Sequence, residues 1–313
     1  MLPLGPKWLE LNSMVAAAGL SIFFCLSGFL IVSILLRNSN VLSFFVRRLF
    51  RILPLAWVAL LAILLAEQAK TNAWYSNLLF YANLFPHTLM ENGQHFWSLS
   101  VEVQFYMAVG LAVVALGSRG LFLVPVTCVA VTVARVIFGE EFSIVTWFSV
   151  DQILAGGTLA LFMNLSPFAH AARKWPSSVT LLLIPALFLT SHELLGPTNY
   201  LRPYVTALLI YSTVYPRGGV LQAALESKPL SYLARTSYAL YVIHPLTYAG
   251  WLGEGDVLIR YTKRLFSFGL TFVAAHLSSA YYEKYWNDLG HRLASHIEQK
   301  NREESAYQSQ PTA

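Results

Sequence analysis

Charged residues are scarce in this sequence: Asp, Glu, Lys and Arg make up 12% of its 313 residues, whereas hydrophobic residues make up 56%. Soluble domains carry roughly a quarter charged residues, so this composition excludes an ordinary soluble domain. The mean hydropathy is +0.53, and apolar runs recur along the chain, each near the ~20 residues that cross a hydrocarbon core of ~30 Å. In a bilayer such runs satisfy their backbone groups as helices. We therefore predict an all-α, polytopic membrane helix bundle.

Cysteine is nearly absent as well. Cys25 and Cys128 both lie in apolar runs, and neither has a partner at the spacing of a disulfide or a metal site. We therefore expect no metal site. The net charge of +5 is accounted for by basic loops between the apolar runs, so it gives no reason to expect a nucleic-acid partner.

The apolar runs predict about nine transmembrane helices in one membrane domain, residues 1–285. No Gly/Ser-rich linker, charge block or fixed-period repeat divides the chain. Residues 286–313 are predicted to be a polar tail of one or two amphipathic turns followed by disorder. The predicted spans are residues 15–36, 52–66, 97–116, 120–138, 147–164, 178–193, 201–215, 232–251 and 265–285.

The distribution of Lys and Arg predicts the orientation. Basic residues cluster in the loop 37–51 and in the tail, so both are predicted to be cytoplasmic. The loops 67–95 and 252–264 are predicted to lie on the opposite side. Nine spans then place the N-terminus outside, although residues 1–14 carry no export signal. We therefore expect a further helix upstream of Met1, which would bring both termini into the cytoplasm.

One acid stands alone in the stretch FWSLSVEVQFY, residues 96–106. Helical spacing places Ser98, Glu102 and Tyr106 on one face, with Phe105 beside them. An ionisable group inside a span costs several kcal/mol, so Glu102 is a candidate catalytic residue, and Ser98 with it. The alternative is a structural acid paired with an arginine of another helix.

Two further stretches follow one another near the N-terminus. In FFCLSGFLI, residues 23–31, Ser27 and Gly28 permit close approach of a ligand chain or, alternatively, ordinary packing against another helix. In FFVRRLFRILP, residues 44–54, three arginines stand together before Pro54, which is predicted to start the next span. Arginine forks suit bidentate contacts to phosphates; the alternative is a topology signal that binds anionic lipid. These arginines are Arg47, Arg48 and Arg51.

The C-terminal third carries two more patches. RTSYALYVIHPL, residues 235–246, places Ser237, Tyr241 and His244 on one helix face, with a kink expected at Pro245. His244 is a candidate catalytic residue, although a lone histidine in a span is more often a packing residue. SSAYYEKYW, residues 278–286, contributes Glu283 within an aromatic cluster typical of a membrane interface.

Two more intramembrane charges remain. Asp151 opens the fifth predicted span and Arg135 lies in the fourth. These two groups are expected to pair with each other or with Glu102.

The ordered set FFCLSGFLI, FFVRRLFRILP, FWSLSVEVQFY, SYALYVIHPL and SSAYYEKYW resembles the acyltransferase type 3 family. These are integral membrane O-acyltransferases of bacterial surface polysaccharides, peptidoglycan and some glycosylated small molecules. The resemblance implies transfer of an acyl group, often acetyl, from a cytoplasmic acyl-CoA co-substrate to a carbohydrate hydroxyl. It implies no tightly bound cofactor and places the protein among the lipids of the bacterial inner membrane. The three arginines and Ser27 with Gly28 are the expected acyl-CoA site.

One departure qualifies the resemblance. Family members open with a helix that bears an arginine and, about ten residues later, the histidine taken as the catalytic base. The first span here matches the family's second, and none of His87, His95 or His244 fits that position. A non-catalytic fragment of the family is therefore an alternative. A transporter of polyprenyl-linked sugars is another, although the paired broken-helix repeat expected of one is not found.

Overall fold

A computed structural model describes most of the chain. Its described residues form helices joined by short turns, without a β-strand among them. The predicted all-α fold class is therefore confirmed. The described residues are 11–37, 40–84, 88–166, 170–171, 175–215, 219–247 and 256–308.

Three helical stretches are long and apolar enough to cross a membrane within this described part: Leu11–Arg37, Val41–Ala66 and Phe96–Phe138. Many apolar side chains on the described helices face outward; Ile137, for example, is 73% exposed. Exposed apolar surface on this scale marks contact with lipid rather than water. The chain is thus an integral membrane protein. Every predicted span overlaps a helix, but the count of nine stays a prediction.

The chain divides into two compact units. Unit 1 comprises residues 1–39 and 98–219, and unit 2 comprises residues 40–97 and 220–313. The helices of unit 1 are α1 (Leu11–Arg37), α4 (Phe96–Leu116, whose first two residues belong to unit 2), α5 (Leu123–Phe138), α6 (Thr146–Ser149), α7 (Asp151–Leu165), α8 (Ser177–Leu189) and α9 (Arg202–Thr213). The helices of unit 2 are α2 (Val41–Ala66), α3 (Thr71–Leu78), α10 (Val220–Leu225), α11 (Lys228–Ile243), α12 (Val257–Leu277) and α13 (Lys284–Gln308).

Close packing of α1 on α7 organises unit 1. A Cβ atom on Gly28 would lie 1.8 Å from the Ile153 carbonyl oxygen, and one on Gly156 would lie 1.8 Å from the Cys25 carbonyl oxygen. Only hydrogen fits at these two positions, so the glycines let the helix backbones touch. Small residues at such crossings are the usual means of helix association in a bilayer, where apolar burial gives little driving force.

Helix α2 organises unit 2 and corrects one prediction. It begins at Val41, where the Asn40 side chain accepts a hydrogen bond from the Ser43 backbone N–H (3.1 Å). Most of the predicted loop 37–51 is therefore helical, because this cap starts the helix before the basic residues. Pro54 consequently lies inside the helix rather than at its start. Tyrosine hydroxyls of unit 2 bond carbonyls around it: Tyr238 bonds that of Ile52 (2.5 Å), and Tyr282 that of Pro54 itself (3.3 Å).

The C-terminal tail corrects a second prediction. Residues Lys284–Gln308 form the continuous helix α13 instead of one or two turns followed by disorder. Its polar composition concealed a packed face: Ala294 is fully buried, and a Cβ on Gly290 would lie 2.6 Å from the Phe50 side chain. Packing against α2 thus stabilises a segment that composition alone assigned to disorder. At Pro245, likewise, the expected kink is a helix end, since α11 stops at Ile243.

Candidate functional site

Glu102 is buried in α4, with 4% of the residue exposed. Tyr106, one turn later, donates a hydrogen bond from its hydroxyl to Glu102 Oε1. Ser98, one turn earlier, is 2% exposed. The three polar side chains therefore lie on one buried helix face, as their spacing predicts. A buried carboxylate held by a phenol can accept or direct a proton in a site from which water is excluded.

The two charges considered as partners for Glu102 pair with each other. Arg135 Nη1 donates to Asp151 Oδ2 at 2.5 Å, and both side chains are at most 2% exposed. The same guanidinium donates to the carbonyl oxygens of Glu140 (3.1 Å) and Glu141 (2.6 Å). Arg135 thus joins α5, the following turn and α7. The alternative that pairs Arg135 with Glu102 is not what the structure adopts.

Arg202 is a buried cation that the sequence analysis missed. Its position at the edge of the predicted span 201–215 gives no sign of burial, yet it begins α9 and is 4% exposed. Its guanidinium carbon lies 4.7 Å from the centroid of the Phe142 ring. The sequence gives no sign of this burial, because an arginine before a proline at a predicted helix start is equally compatible with a solvent-exposed side chain.

Ser27 and Gly28 occupy the middle of α1. Gly28 contacts the backbone of α7, which is the packing alternative left open by the sequence, while Ser27 is half-buried. A role for either residue in binding a ligand chain stays a prediction. Both belong to unit 1, together with Ser98 and Glu102.

The three arginines lie within the first three turns of α2, in unit 2. Arg47 is half-buried, and its Nη2 donates to Glu298 Oε1 of α13 at 2.9 Å. The Ser43 hydroxyl lies 2.7 Å from the same carboxylate oxygen. Arg48 is half-buried and Arg51 is exposed. The arginines lie on a helix rather than in the predicted loop 37–51. The sequence gives no sign of the carboxylate partner of Arg47, which is 251 residues away.

A second carboxylate lies near the part of α2 that carries Arg47, Arg48 and Arg51, which we call the basic face. Glu283 is 8% exposed and accepts a hydrogen bond from the Ser278 hydroxyl at 3.3 Å. It is also close enough to Arg51 for their charges to interact. The basic face of α2 is therefore partly neutralised by acids of the C-terminal segment.

His244 meets a second histidine in unit 2. Its ring centroid lies 5.2 Å from that of His95, in an edge-to-face arrangement. Tyr241 donates from its hydroxyl to the His95 carbonyl oxygen. The His244 Nδ1 atom lies 2.8 Å from the Tyr241 carbonyl oxygen. Since a carbonyl only accepts, Nδ1 carries the proton, which makes Nε2 the basic nitrogen of the neutral ring.

The environment of His95 disfavours its charged form. Burial, followed by repulsion from His244, lowers the pKa of His95 from 6.5 to about 3. His95 therefore stays neutral at physiological pH. Its position in the sequence does not match that of the family's base, and its proximity to His244, 149 positions later in the chain, leaves no local sequence signal. His87 lies outside the described residues.

Comparison with known proteins gives the family. The model of the acyltransferase type 3 family, described as an acyltransferase domain, matches residues 2–282. O-acetyltransferase OatA of Staphylococcus aureus is 26% identical over 282 residues, covering 72% of this chain and 45% of OatA. Nodulation protein 10 of Rhizobium leguminosarum bv. viciae is 25% identical over 303 residues, covering 80% of this chain and 78% of that protein. No solved structure matches.

The match extends over nearly the whole chain, so the domain it contains is a membrane-embedded acyltransferase domain. The chain belongs to the acyltransferase type 3 family. It spans 45% of the length of the OatA relatives. The resemblance inferred from the five motifs is confirmed.

Proposed function

We propose that this protein is a membrane O-acyltransferase that moves an acyl group, acetyl in the simplest case, from acyl-CoA to a hydroxyl of a cell-surface carbohydrate or a glycosylated small molecule. The observation that carries the proposal is the family match over residues 2–282. The similarity to a protein named O-acetyltransferase supports the choice of acetyl and of an oxygen acceptor.

The proposed donor site is the basic face at the start of α2. Arg47, Arg48 and Arg51 together offer several N–H donors within three helical turns, and planar guanidinium forks match the oxygens of the CoA phosphates. Acyl-CoA acts as a co-substrate, and no tightly bound cofactor is proposed. Ser27 is proposed to line the path of the acyl-bearing arm, as the resemblance implies, and Gly28 to support it by its close packing on α7.

The proposed chemistry is attack of the acceptor oxygen on the thioester carbonyl. The new C–O bond forms as the C–S bond breaks, and the hydroxyl proton must leave for a base while the thiolate of CoA is protonated. Glu102, held by Tyr106 and flanked by Ser98, is proposed to orient or deprotonate the acceptor hydroxyl. His244, with its basic Nε2, is a second candidate for proton transfer. A positioned acid or base contributes typically 10²- to 10⁴-fold to rate.

We place the protein in the bacterial inner membrane, in contact with lipid, with the arginine face and the C-terminus in the cytoplasm. The excess of Lys and Arg in these segments supports that side. Nothing in its charge distribution calls for a nucleic-acid partner. A reporter fused after Ala313 should be active in the cytoplasm of intact cells, and labelling of that terminus from outside would refute the orientation and the donor side with it.

The activity is tested by feeding cells isotopically labelled acetate and analysing their surface glycans by mass spectrometry. Cells with the intact gene should carry labelled O-acetyl groups that disappear on disruption and return on complementation. Unchanged glycans in all three strains would favour the alternative, a non-catalytic member of the family. Loss of an entire glycan rather than of its acetyl groups would instead favour a transporter.

A further inference from the structure

The start of α2 already holds an anion supplied by this chain. The Glu298 Oε1 atom lies 2.7 Å from the Ser43 hydroxyl and 2.9 Å from Arg47 Nη2. The Ser43 hydroxyl also lies 3.2 Å from the Asn40 carbonyl. Its single proton serves one acceptor at a time, and the shorter contact to a charged oxygen is the stronger one. A hydroxyl and a guanidinium thus converge on one carboxylate oxygen. Both groups belong to the first two turns of a 26-residue helix, whose dipole favours an anion near its N-terminus.

Only one of the two parallel N–H donors of the Arg47 guanidinium bonds this carboxylate. Nε and Nη2 are the two nitrogens whose N–H groups point the same way, and Nη2 bonds Glu298. Nε is buried and has no hydrogen-bond partner among the described residues. A buried N–H without an acceptor is costly. One carboxylate oxygen shared between Ser43 and Nη2 therefore leaves a donor that a group with three oxygens would satisfy.

We propose that Ser43 and Arg47 form a phosphate-binding site, and that Glu298 of α13 occupies this site until a phosphate displaces it. A phosphate fits better because separate oxygens can reach the Ser43 hydroxyl, Nη2 and Nε. The C-terminal helix then acts as an internal competitor for the site. The proposal rests on the proposed function insofar as it identifies the phosphate with one of acyl-CoA.

The ion pair between Arg47 and Glu298 is weak enough for a phosphate to displace Glu298, and we call this displaceable contact the latch. The side chains of Arg47 and Glu298 are 35% and 19% exposed, so their ion pair is partly screened by water. Such pairs contribute little to stability, and a bound phosphate can replace them at modest cost. Ser43, by contrast, is 2% exposed, so its hydroxyl keeps a fixed position when Glu298 leaves.

The test uses the full chain in nanodiscs of zwitterionic lipid, with coenzyme A as the probe and calorimetry as the readout. Glu298→Gln removes the competing charge, and we expect it to tighten coenzyme A binding about two- to fivefold, the factor that corresponds to a partly exposed ion pair. Adding Ser43→Ala to that variant should weaken binding about three- to tenfold relative to Glu298→Gln alone. Glu303→Gln, an exposed acid on the same helix, is the matched control and should leave the affinity unchanged.

The possible outcomes distinguish the displacement of Glu298 by phosphate from the proposal that the basic face binds acyl-CoA. If the wild type binds coenzyme A but Glu298→Gln binds it no more tightly, or less tightly, the latch is refuted while the donor site stands. If coenzyme A binds neither the wild type nor Glu298→Gln, inorganic pyrophosphate and nanodiscs containing phosphatidylglycerol are tried with the same variants. A gain on Glu298→Gln with either probe supports the phosphate site and refutes the acyl-CoA assignment. The absence of a gain with every probe refutes both.

Discussion

Replacing Asp151 by Asn should destabilise unit 1 strongly, because it strips the buried Arg135 of its counter-charge. Both side chains are at most 2% exposed, and their atoms lie 2.5 Å apart. Removing one member of a buried ion pair typically costs 3–5 kcal/mol. Asn keeps the shape and one oxygen of Asp, so we expect about 3 kcal/mol for Asp151→Asn. Arg135→Met should cost more, about 4 kcal/mol, because it also releases the carbonyl oxygens of Glu140 and Glu141.

The free energy of unfolding would be measured by titrating the purified protein from mild detergent into denaturing detergent. The double variant Arg135→Met/Asp151→Asn should lose less stability than the two single losses added together, because Asp151→Asn no longer strips Arg135 of its counter-charge once Arg135 is absent. Glu193→Gln, an exposed acid of the same unit, should change stability by less than about 0.5 kcal/mol. A cost below about 1 kcal/mol for Asp151→Asn would refute the reasoning. So would a strong coupling of Arg135 to Glu102 in the same type of cycle.

Three further changes test separate parts of the structure. Gly156→Ala should cost at least 1–3 kcal/mol in the same unfolding assay, because the new Cβ would meet the Cys25 carbonyl. Gly19 has open space around it, so the control Gly19→Ala should be neutral or stabilising. Equal effects of the two substitutions would contradict the packing of α1 on α7. The pKa of His95, lowered to about 3, means that below pH 6.5 the unfolded chain binds a proton that the folded chain does not, so stability falls as pH drops toward 3. By pH 5 the wild type should lose about 1–2 kcal/mol more than His95→Gln, and parallel curves would exclude the shift. Arg51→Lys keeps the charge but loses the fork, so it should weaken coenzyme A binding about tenfold by calorimetry, and wild-type affinity would favour a topology-only role.

The sequence was sufficient for the features that depend on local spacing and on solvent. Apolar run length predicted the all-α membrane class, and helical periodicity predicted the contact of Glu102 with Tyr106. The same reasoning offered the pairing of Arg135 with Asp151 as one of two alternatives. Spacing alone could not choose between them, because the choice depends on how α5 meets α7.

Features that depend on distant packing were missed. The basic residues and Pro54 predict that a span starts only at residue 52, yet α2 begins at Val41 and runs through them, because its N-terminal cap and its tertiary contacts outweigh those local preferences. Composition alone predicts a disordered tail, although its buried Ala294 lies on a packed face. Glu298 and His95 acquire their importance from partners more than 140 positions away, for which a single sequence contains no signal.

The most direct test of the account is the activity of Glu102→Gln. Gln keeps the shape and one acceptor oxygen but removes the charge, so a purely structural glutamate should tolerate it with some loss of protein. The account requires the variant to accumulate in the membrane at the wild-type level, as measured by immunoblot, and to leave surface glycans without labelled acetyl groups. Tyr106→Phe, which removes the hydroxyl bonded to the carboxylate, should retain partial activity as the matched control. Wild-type acetylation by Glu102→Gln would contradict a chemical role for this carboxylate.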